Sequence, residues 1–257
     1  MSNIALITQT PNDTIAHTWA NRLNIPLLDK LPENCNQWDF FLHLDNQRLS
    51  LSNSQDIKSQ IYVELVHESL GYRLKKGGGR KQPLARACGI KPNKNPSILD
   101  LTAGLGKDGV VLASLGCDVT LIERHPIVAA LLENGLNRAQ QQPQMANICQ
   151  HLQHYHQDSL HYLQQNPTID VIYLDPMYPK RNKSALVKKS MQILQQLVGS
   201  DDDSATLLQP ALKLAQQRVV VKRPKNAPPL ANKKPNMSIH SKKTRYDVYF
   251  TLPNLNH

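Results

Sequence analysis

No stretch of this 257-residue chain approaches the ~18 to 20 consecutive apolar residues of a membrane span, which excludes a helical integral membrane protein. Met1 to Thr8 has no basic start, and its apolar run, Ile4 to Ile7, is short. It does not read as a secretory leader, and the expected compartment is the cytoplasm. Cysteine is scarce: Cys35, Cys88, Cys117 and Cys149 form no close pair. That spacing excludes a zinc knuckle or a redox dithiol and predicts reduced, mostly buried thiols. Acid is short as well, with 20 Asp and Glu against 30 Lys and Arg, a formal charge of +10 and a pI near 9.5. Such a surplus attracts polyanions and speeds encounter with them. There are no internal repeats. What is present is 40% apolar residues, at a length sufficient for one large domain or a medium one plus a small one.

Residues 1–75 read as a small N-terminal α+β module, leaving 76–257 as the main domain. Ile4 to Ile7 predicts a strand and Asp13 to Leu23 a helix. Asp39 to Leu44 and Arg48 to Leu51 flank the turn residues Asp45 and Asn46, a hairpin signal. Ile61 to Val66 fits either a strand or a helix start, and no catalytic constellation is visible in this part. Arg73 to Lys81 follows, with Gly77, Gly78 and Gly79 among Lys75, Lys76, Arg80 and Lys81. Successive N–H groups in such a loop can cradle a phosphate that the cations neutralise; a solvated linker has the same composition.

From Pro96 onward β and α patterns alternate. Strands are predicted at Ser97 to Leu101, Asp118 to Ile122, Ile148 to His154, Ile169 to Leu174 and Arg218 to Lys222, with Arg245 to Thr251 alternating like an edge strand. Helices are predicted at Gly109 to Leu115, closed by Gly116, from Pro126, at Ser184 to Val198 and at Ser204 to Gln217. The expected fold is α/β, a doubly wound Rossmann-like sheet with helices on both faces.

In such sheets a ligand binds beyond the carboxyl ends of the strands, over the first glycine turn. Gly104 and Gly106 remove β-carbons that would block its approach. Gly104, Gly106 and Gly109 satisfy the dinucleotide spacing, with Glu123 at the distance expected for an acid on a ribose. A P-loop is excluded, because Leu101 stands where its first glycine belongs and Asp108 follows Lys107. The glycines alone suit a nicotinamide dehydrogenase equally well. Asp100, placed to hold a cationic amino acid end, favours S-adenosylmethionine, as does Asp158 beside Ser159 at the end of the third strand, within reach of an adenine amine. A pyrophosphate gains nothing from an acid at Asp100.

Asp175-Pro176-Met177-Tyr178 follows the fourth strand. An exocyclic amine on a base is a poor nucleophile, since its lone pair is delocalised into the ring. The Asp175 carboxylate and Pro176 carbonyl could accept its two hydrogens and aim the lone pair, while Tyr178 stacks on the base, a contact worth roughly 1 to 3 kcal/mol. Asp-Pro also begins ordinary turns. Lys180, Arg181 and Lys183 follow this motif, and Lys222 and Arg223 end the next strand. Together with Lys75, Lys76, Arg80 and Lys81 they are the expected contacts to a nucleic-acid backbone. His151, His154, His156 and His161 face no acid set, and no metal site is expected.

These residues resemble the RsmJ-type 16S ribosomal RNA guanine-N2 methyltransferases of bacteria. The resemblance runs from about Gly77 to Phe250. It is carried by Gly77 to Arg80, Asp100 to Asp108, Glu123 to Pro126, Tyr173 to Pro179, Lys183 to Lys189, Val219 to Pro224 and Ala227 to Asn232. It implies a class I methyltransferase sheet and methyl transfer from S-adenosylmethionine to N2 of a guanine in 16S ribosomal RNA or the 30S subunit; no obligate protein partner is evident in the sequence. It also implies cofactor contacts at Lys107, Asp108, Glu123, Arg124, Asp158, Ser159 and Asp175. General amino-methyltransferases carry a second proline where Met177 stands. Residue chemistry by itself leaves three other readings: an adenine-N6 or DNA methyltransferase, a nicotinamide oxidoreductase, and a noncatalytic RNA-binding protein.

Overall fold

The computed structural model describes residues 2–10, 13–65, 78–177, 189–199 and 202–251. The N-terminal part contains β1 (Ile4–Thr8), α1 (Thr14–Leu23), β2 (Leu27–Leu28), β3 (Phe40–Asp45), β4 (Arg48–Asn53) and β5 (Asp56–Ile61). Asp13 caps α1, its carboxylate accepting from the Ile15 and Ala16 amides, which meets two of the donors that a helix start leaves unpaired. The β3–β4 hairpin turns at Asn46 and Gln47, both at positive φ, the backbone a two-residue hairpin loop requires. The five strands form one sheet in the order β2-β1-β3-β4-β5.

The rest contains α2 (Pro83–Ala87), β6 (Ile98–Asp100), α3 (Lys107–Ala113), β7 (Val119–Glu123), α4 (Pro126–Gln140), α5 (Pro143–Cys149), β8 (Leu152–His156), α6 (Ser159–Leu163) and β9 (Ile169–Leu174). After these come α7 (Lys189–Val198), a 3-10 turn (Asp202–Leu207), α8 (Leu208–Leu214), β10 (Ala215–Pro224), β11 (Met237–His240) and β12 (Thr244–Phe250). The seven strands pair in the order β11-β12-β10-β9-β6-β7-β8. β6 to β10 run parallel, and β12 is antiparallel to both β10 and β11. This is the doubly wound α/β sheet, with one reversed strand next to its edge.

Successive residues of a strand face opposite sides, and here both sides are covered. Ile98, Val171, Tyr173 and Val220 join the apolar cluster that includes Val110, Leu112, Ile127 and Leu131 of α3 and α4. Their neighbours Leu99, Ile172, Leu174, Val219 and Val221 join the opposite cluster with Leu208 and Ala211 of α8. Continuous apolar runs, rather than alternating ones, are the mark of parallel strands buried on both faces.

Several elements differ from the sequence expectation. Pro143–Cys149 is a helix and the third strand starts only at Leu152, because Pro143 sits at the first helical position and Met145 packs inward. The helix predicted to reach Gln217 ends at Leu214, and Ala215 to Gln217 already belong to β10. β12 is interior, not an edge. Its alternating polar residues are buried as an ion pair, Arg245 Nε donating to Asp247 Oδ1 at 2.8 Å, and the short β11 takes the edge. β2, β5, β11 and α2 have no counterpart among the predicted elements. Of the predicted Ser184 to Val198 helix, residues from Lys189 onward are described.

The N-terminal sheet packs on α4. Gly135 lets Val63 approach so closely that an added Cβ would stand 2.5 Å from the Val63 Cβ. Asn134 accepts from the Leu49 amide at 3.0 Å and donates to the Gln47 carbonyl at 2.8 Å. Arg22 pairs with Glu133, and Arg138 donates to the Val63 carbonyl. One apolar cluster contains Leu6, Trp19, Phe40 and Leu51 together with Val110, Leu131 and Leu132. The expected boundary near residue 75 lies outside the described residues.

Candidate active site

The pleat that buries the core also builds the site. Asp100 pairs in register with Tyr173 on β9, and Tyr173 with Val220 on β10. By alternation Asp100, Tyr173 and Lys222 therefore share the face beneath α3, at the carboxyl ends of their strands. α3 brings Asp108 down onto them. Tyr173 Oη donates to Asp108 Oδ2 at 2.7 Å. Lys222 Nζ donates to the same oxygen at 2.8 Å and to Asp175 Oδ2 at 2.7 Å. Thr102 completes the arrangement: its amide donates to Asp100 Oδ1 at 3.0 Å, and its hydroxyl oxygen accepts from the Asp175 amide at 2.6 Å.

Two carboxyls thus share one cation, and Asp100 lies on the same face of the sheet. Burial, reinforced by Asp108 and Asp175 and opposed by the Thr102 amide, pushes the Asp100 carboxyl up to about 8. Burial disfavours the Lys222 ammonium, but Asp175 and Asp108 more than offset this and hold it above its usual range. Burial, with Asp108 and Asp175 nearby, raises the Tyr173 phenol well above its usual value, so it stays a donor.

The glycine turn runs from β6 into α3. Gly104 takes φ +54°, and a β-carbon added there would have no neighbour closer than 3.9 Å. Gly106 takes φ +72°, with Leu132 Cδ1 only 2.6 Å from where its β-carbon would stand. Gly109 lets α3 lie against Leu121 of β7. The turn is tied to the end of β7, where Glu123 Oε2 accepts from the Gly104 amide at 2.8 Å and Oε1 from the His125 amide at 2.8 Å. Asp158 caps α6, accepting from the His161 amide at 2.9 Å. Ser159 is buried and its hydroxyl donates to the Leu101 carbonyl at 2.6 Å. Arg124 reaches across to Asp203 at 2.5 Å.

These residues line a cavity of about 370 Å³, which includes Asp100, Gly104, Lys107, Asp108, Glu123, Arg124, Asp158, Ser159 and Asp175. Met191, Leu194, Val198 and Leu207 close it with apolar surface. Comparison with known proteins gives it a family. A family model for SAM-dependent methyltransferases matches residues 26–251. A ribosomal RNA small subunit methyltransferase J of Colwellia psychrerythraea is 52% identical over 82% of this chain and 78% of its own length. Its namesake from Nitrosococcus oceani is 47% identical over 92% of this chain and 93% of its own. The chain belongs to the methyltransferase J family. A crystal structure of a SAM-dependent methyltransferase from Neisseria gonorrhoeae covers 99% of both chains at 30% identity, with a TM-score of 0.75.

The donor set fits the cofactor of a methyltransferase J. A buried carboxyl raised by neighbouring carboxyls is one that a bound cation would ionise, and S-adenosylmethionine is cationic at sulfur and at its amino acid end. The open Gly104 position leaves room for close approach, and the cavity lies within the usual ~300 to 1,000 Å³ of small-molecule sites.

Three residues expected at a nucleic-acid backbone are placed otherwise. Lys222 lies inside the cavity between two carboxylates. Arg223 faces the opposite side, is 3% exposed and donates to the Pro228 carbonyl at 2.7 Å. Arg80 donates to the Lys91 and Leu115 carbonyls. Strand parity separates Lys222 from Arg223, and neither is presented to solvent as a phosphate contact requires. Lys81 is exposed. Lys75, Lys76, Tyr178, Lys180, Arg181 and Lys183 lie outside the described residues. Sequence reasoning missed Thr102, Tyr173 and Asp203. Thr102, two residues beyond Asp100 in the glycine motif, and Tyr173, which opens the Tyr173 to Pro179 motif, left a signal.

Proposed function

We propose that this methyltransferase acts on the exocyclic N2 of a guanine in the 16S ribosomal RNA of the small subunit. The observation that carries the reading is the Asp175-Pro176 step at the carboxyl end of β9, where Asp175 shares the Lys222 ammonium with Asp108. The names of the relatives, the +10 charge and the resemblance carried by the motifs support the substrate.

When bound, S-adenosylmethionine would supply the methyl group from its sulfonium, with sulfur keeping the S–C bond pair. Asp100 would hold the cationic amino acid end, Glu123 the ribose hydroxyls and Asp158 the adenine amine, with Gly104, Lys107, Asp108, Arg124 and Ser159 forming the surrounding wall and Gly106 supporting the turn from behind, against Leu132. Asp175 and the Pro176 carbonyl would accept from the two N2 hydrogens, turning the lone pair toward the methyl. As the N–C bond forms, N2 gains positive charge, and the Asp175 carboxylate stabilises it and takes the proton that N2 loses. The half-exposed carboxyl then returns it to solvent. Tyr178 would stack on the guanine, while Lys75, Lys76, Lys81, Lys180, Arg181 and Lys183 would neutralise phosphates.

The test is transfer of a labelled methyl group to 30S subunits and to stripped 16S RNA, followed by nucleoside analysis. N2-methylguanosine is the expected product, and Asp175→Ala should lower turnover about 10²-fold or more with cofactor affinity little changed. A methylated adenine would refute the base assignment. Full turnover by Asp175→Ala would remove its role.

A further inference from the structure

Lys222 is the residue that β10 contributes to the cavity. Its ammonium contacts Asp108 on α3 and Asp175 after β9. Tyr173 on β9 and Asp100 on β6 share its face, and Tyr246 on β12 stands opposite it in register. Arg223 and Arg245, one residue along each strand, face the other way. The side chain is 23% exposed and bridges two acids, so a phosphate contact does not account for its placement.

We propose that Lys222 is a positioning residue for methyl transfer, neutralising the Asp108–Asp175 pair and keeping the Asp175 carboxylate ionised and oriented toward the target amine. The proposal rests on the reading of Asp175 given above. Asp108 and Asp175 bond the same ammonium, and two carboxyls this close would not both stay ionised without it, so they would come to share a proton. A protonated Asp175 presents an O–H where an acceptor is needed, and it can no longer receive the proton leaving N2. Lys222 also fixes the rotation of the carboxylate by anchoring Oδ2.

The test compares wild type, Lys222→Met, Lys222→Arg and Asp175→Asn by single-turnover methyl transfer to 30S subunits or 16S RNA between about pH 6 and 9.5, with cofactor affinity measured alongside. Lys222→Met should be slower by about 10²-fold at pH 7. Its rate should climb at alkaline pH, the acid limb of its profile lying about one unit or more above that of wild type. Cofactor affinity should not weaken, since removing a cation leaves the acids to attract the cofactor's charges. Lys222→Arg should restore the wild-type profile in part. Lys222→Gln, which keeps a hydrogen bond without the charge, gives the same test if Lys222→Met does not fold. An unshifted profile, or a loss uniform in pH and accompanied by weaker cofactor binding, would overturn the proposal. If Asp175→Asn retains full turnover, the Asp175 reading itself fails. If Asp175→Asn is inactive while Lys222→Met keeps the wild-type profile, only the role of Lys222 falls.

Discussion

Replacing Asp100 by Asn removes a carboxyl that burial and its acidic neighbours push up to about 8, and the consequence depends on pH. Below pH 8 the cofactor-free protein holds Asp100 protonated, yet a cationic cofactor binds best to the ionised form. The competent fraction rises about tenfold per pH unit between roughly pH 5.5 and 7, and the apparent affinity of wild type for S-adenosylmethionine should rise with it. Binding in that range should release about one proton. Titration calorimetry in two buffers of different ionisation enthalpy measures this release directly. Asp100→Asn should bind with an affinity nearly independent of pH, close to the wild-type value at the acid end. A flat wild-type affinity with no proton released would refute the account of the site.

The same carboxyl sets the sign of a stability effect. In the unfolded chain it ionises near its ordinary value of 3.8, whereas folding raises it. Between about pH 4 and 8 the folded state therefore binds the extra proton, and stability falls as pH rises, by up to about 1.4 kcal/mol per unit from this group. S-adenosylmethionine should reverse much of that loss, which thermal melts with and without cofactor at pH 6 and 8 would reveal.

Two further predictions concern stability. Gly135→Ala should cost about 1 to 3 kcal/mol, because its methyl meets the stiff Val63 near the backbone and must separate α4 from the N-terminal sheet; chemical denaturation measures it. Asp247→Ala should cost about 3 to 5 kcal/mol, since Asp247 is 0% exposed and its loss leaves Arg245 buried without its bidentate partner. A thermal melt within a degree of wild type would contradict this second expectation.

Local signals carry most of the fold. Gly104, Gly106 and Gly109 mark the turn, Pro126 opens α4 where proline is tolerated, and the run ending at Leu174 delivers Asp175 to the edge of the sheet. Sequence patterns fail where the deciding contact is remote in the chain. Lys222 and Arg223 look alike as adjacent basic residues, but only the pleat tells which faces α3 and which faces Pro228. Arg245 and Asp247 mimic the polar face of an edge strand until their mutual pairing is seen. Ile148 reads as the start of a strand because an apolar residue near a strand cannot by itself be told from one ending a helix.

Among the described residues the N-terminal sheet contributes no side chain to the cavity, yet it braces two of the cavity's walls. α4 begins directly after Glu123, whose carboxylate holds both the Gly104 amide and the His125 cap, and α4 is the helix onto which the sheet docks through Asn134, Gly135 and Arg138. α7 supplies Met191, Leu194 and Val198 to the opposite wall and is joined to the same sheet by Asn53 donating to Gln196 at 2.8 Å. A shift of the sheet on α4 would therefore reach the glycine turn from one side and the apolar wall from the other. Gly135→Ala tests this coupling as well as stability: its affinity for S-adenosylmethionine should fall together with its stability, whereas Asp247→Ala, on the far strand β12, should lose stability with cofactor affinity largely preserved under conditions where it remains folded.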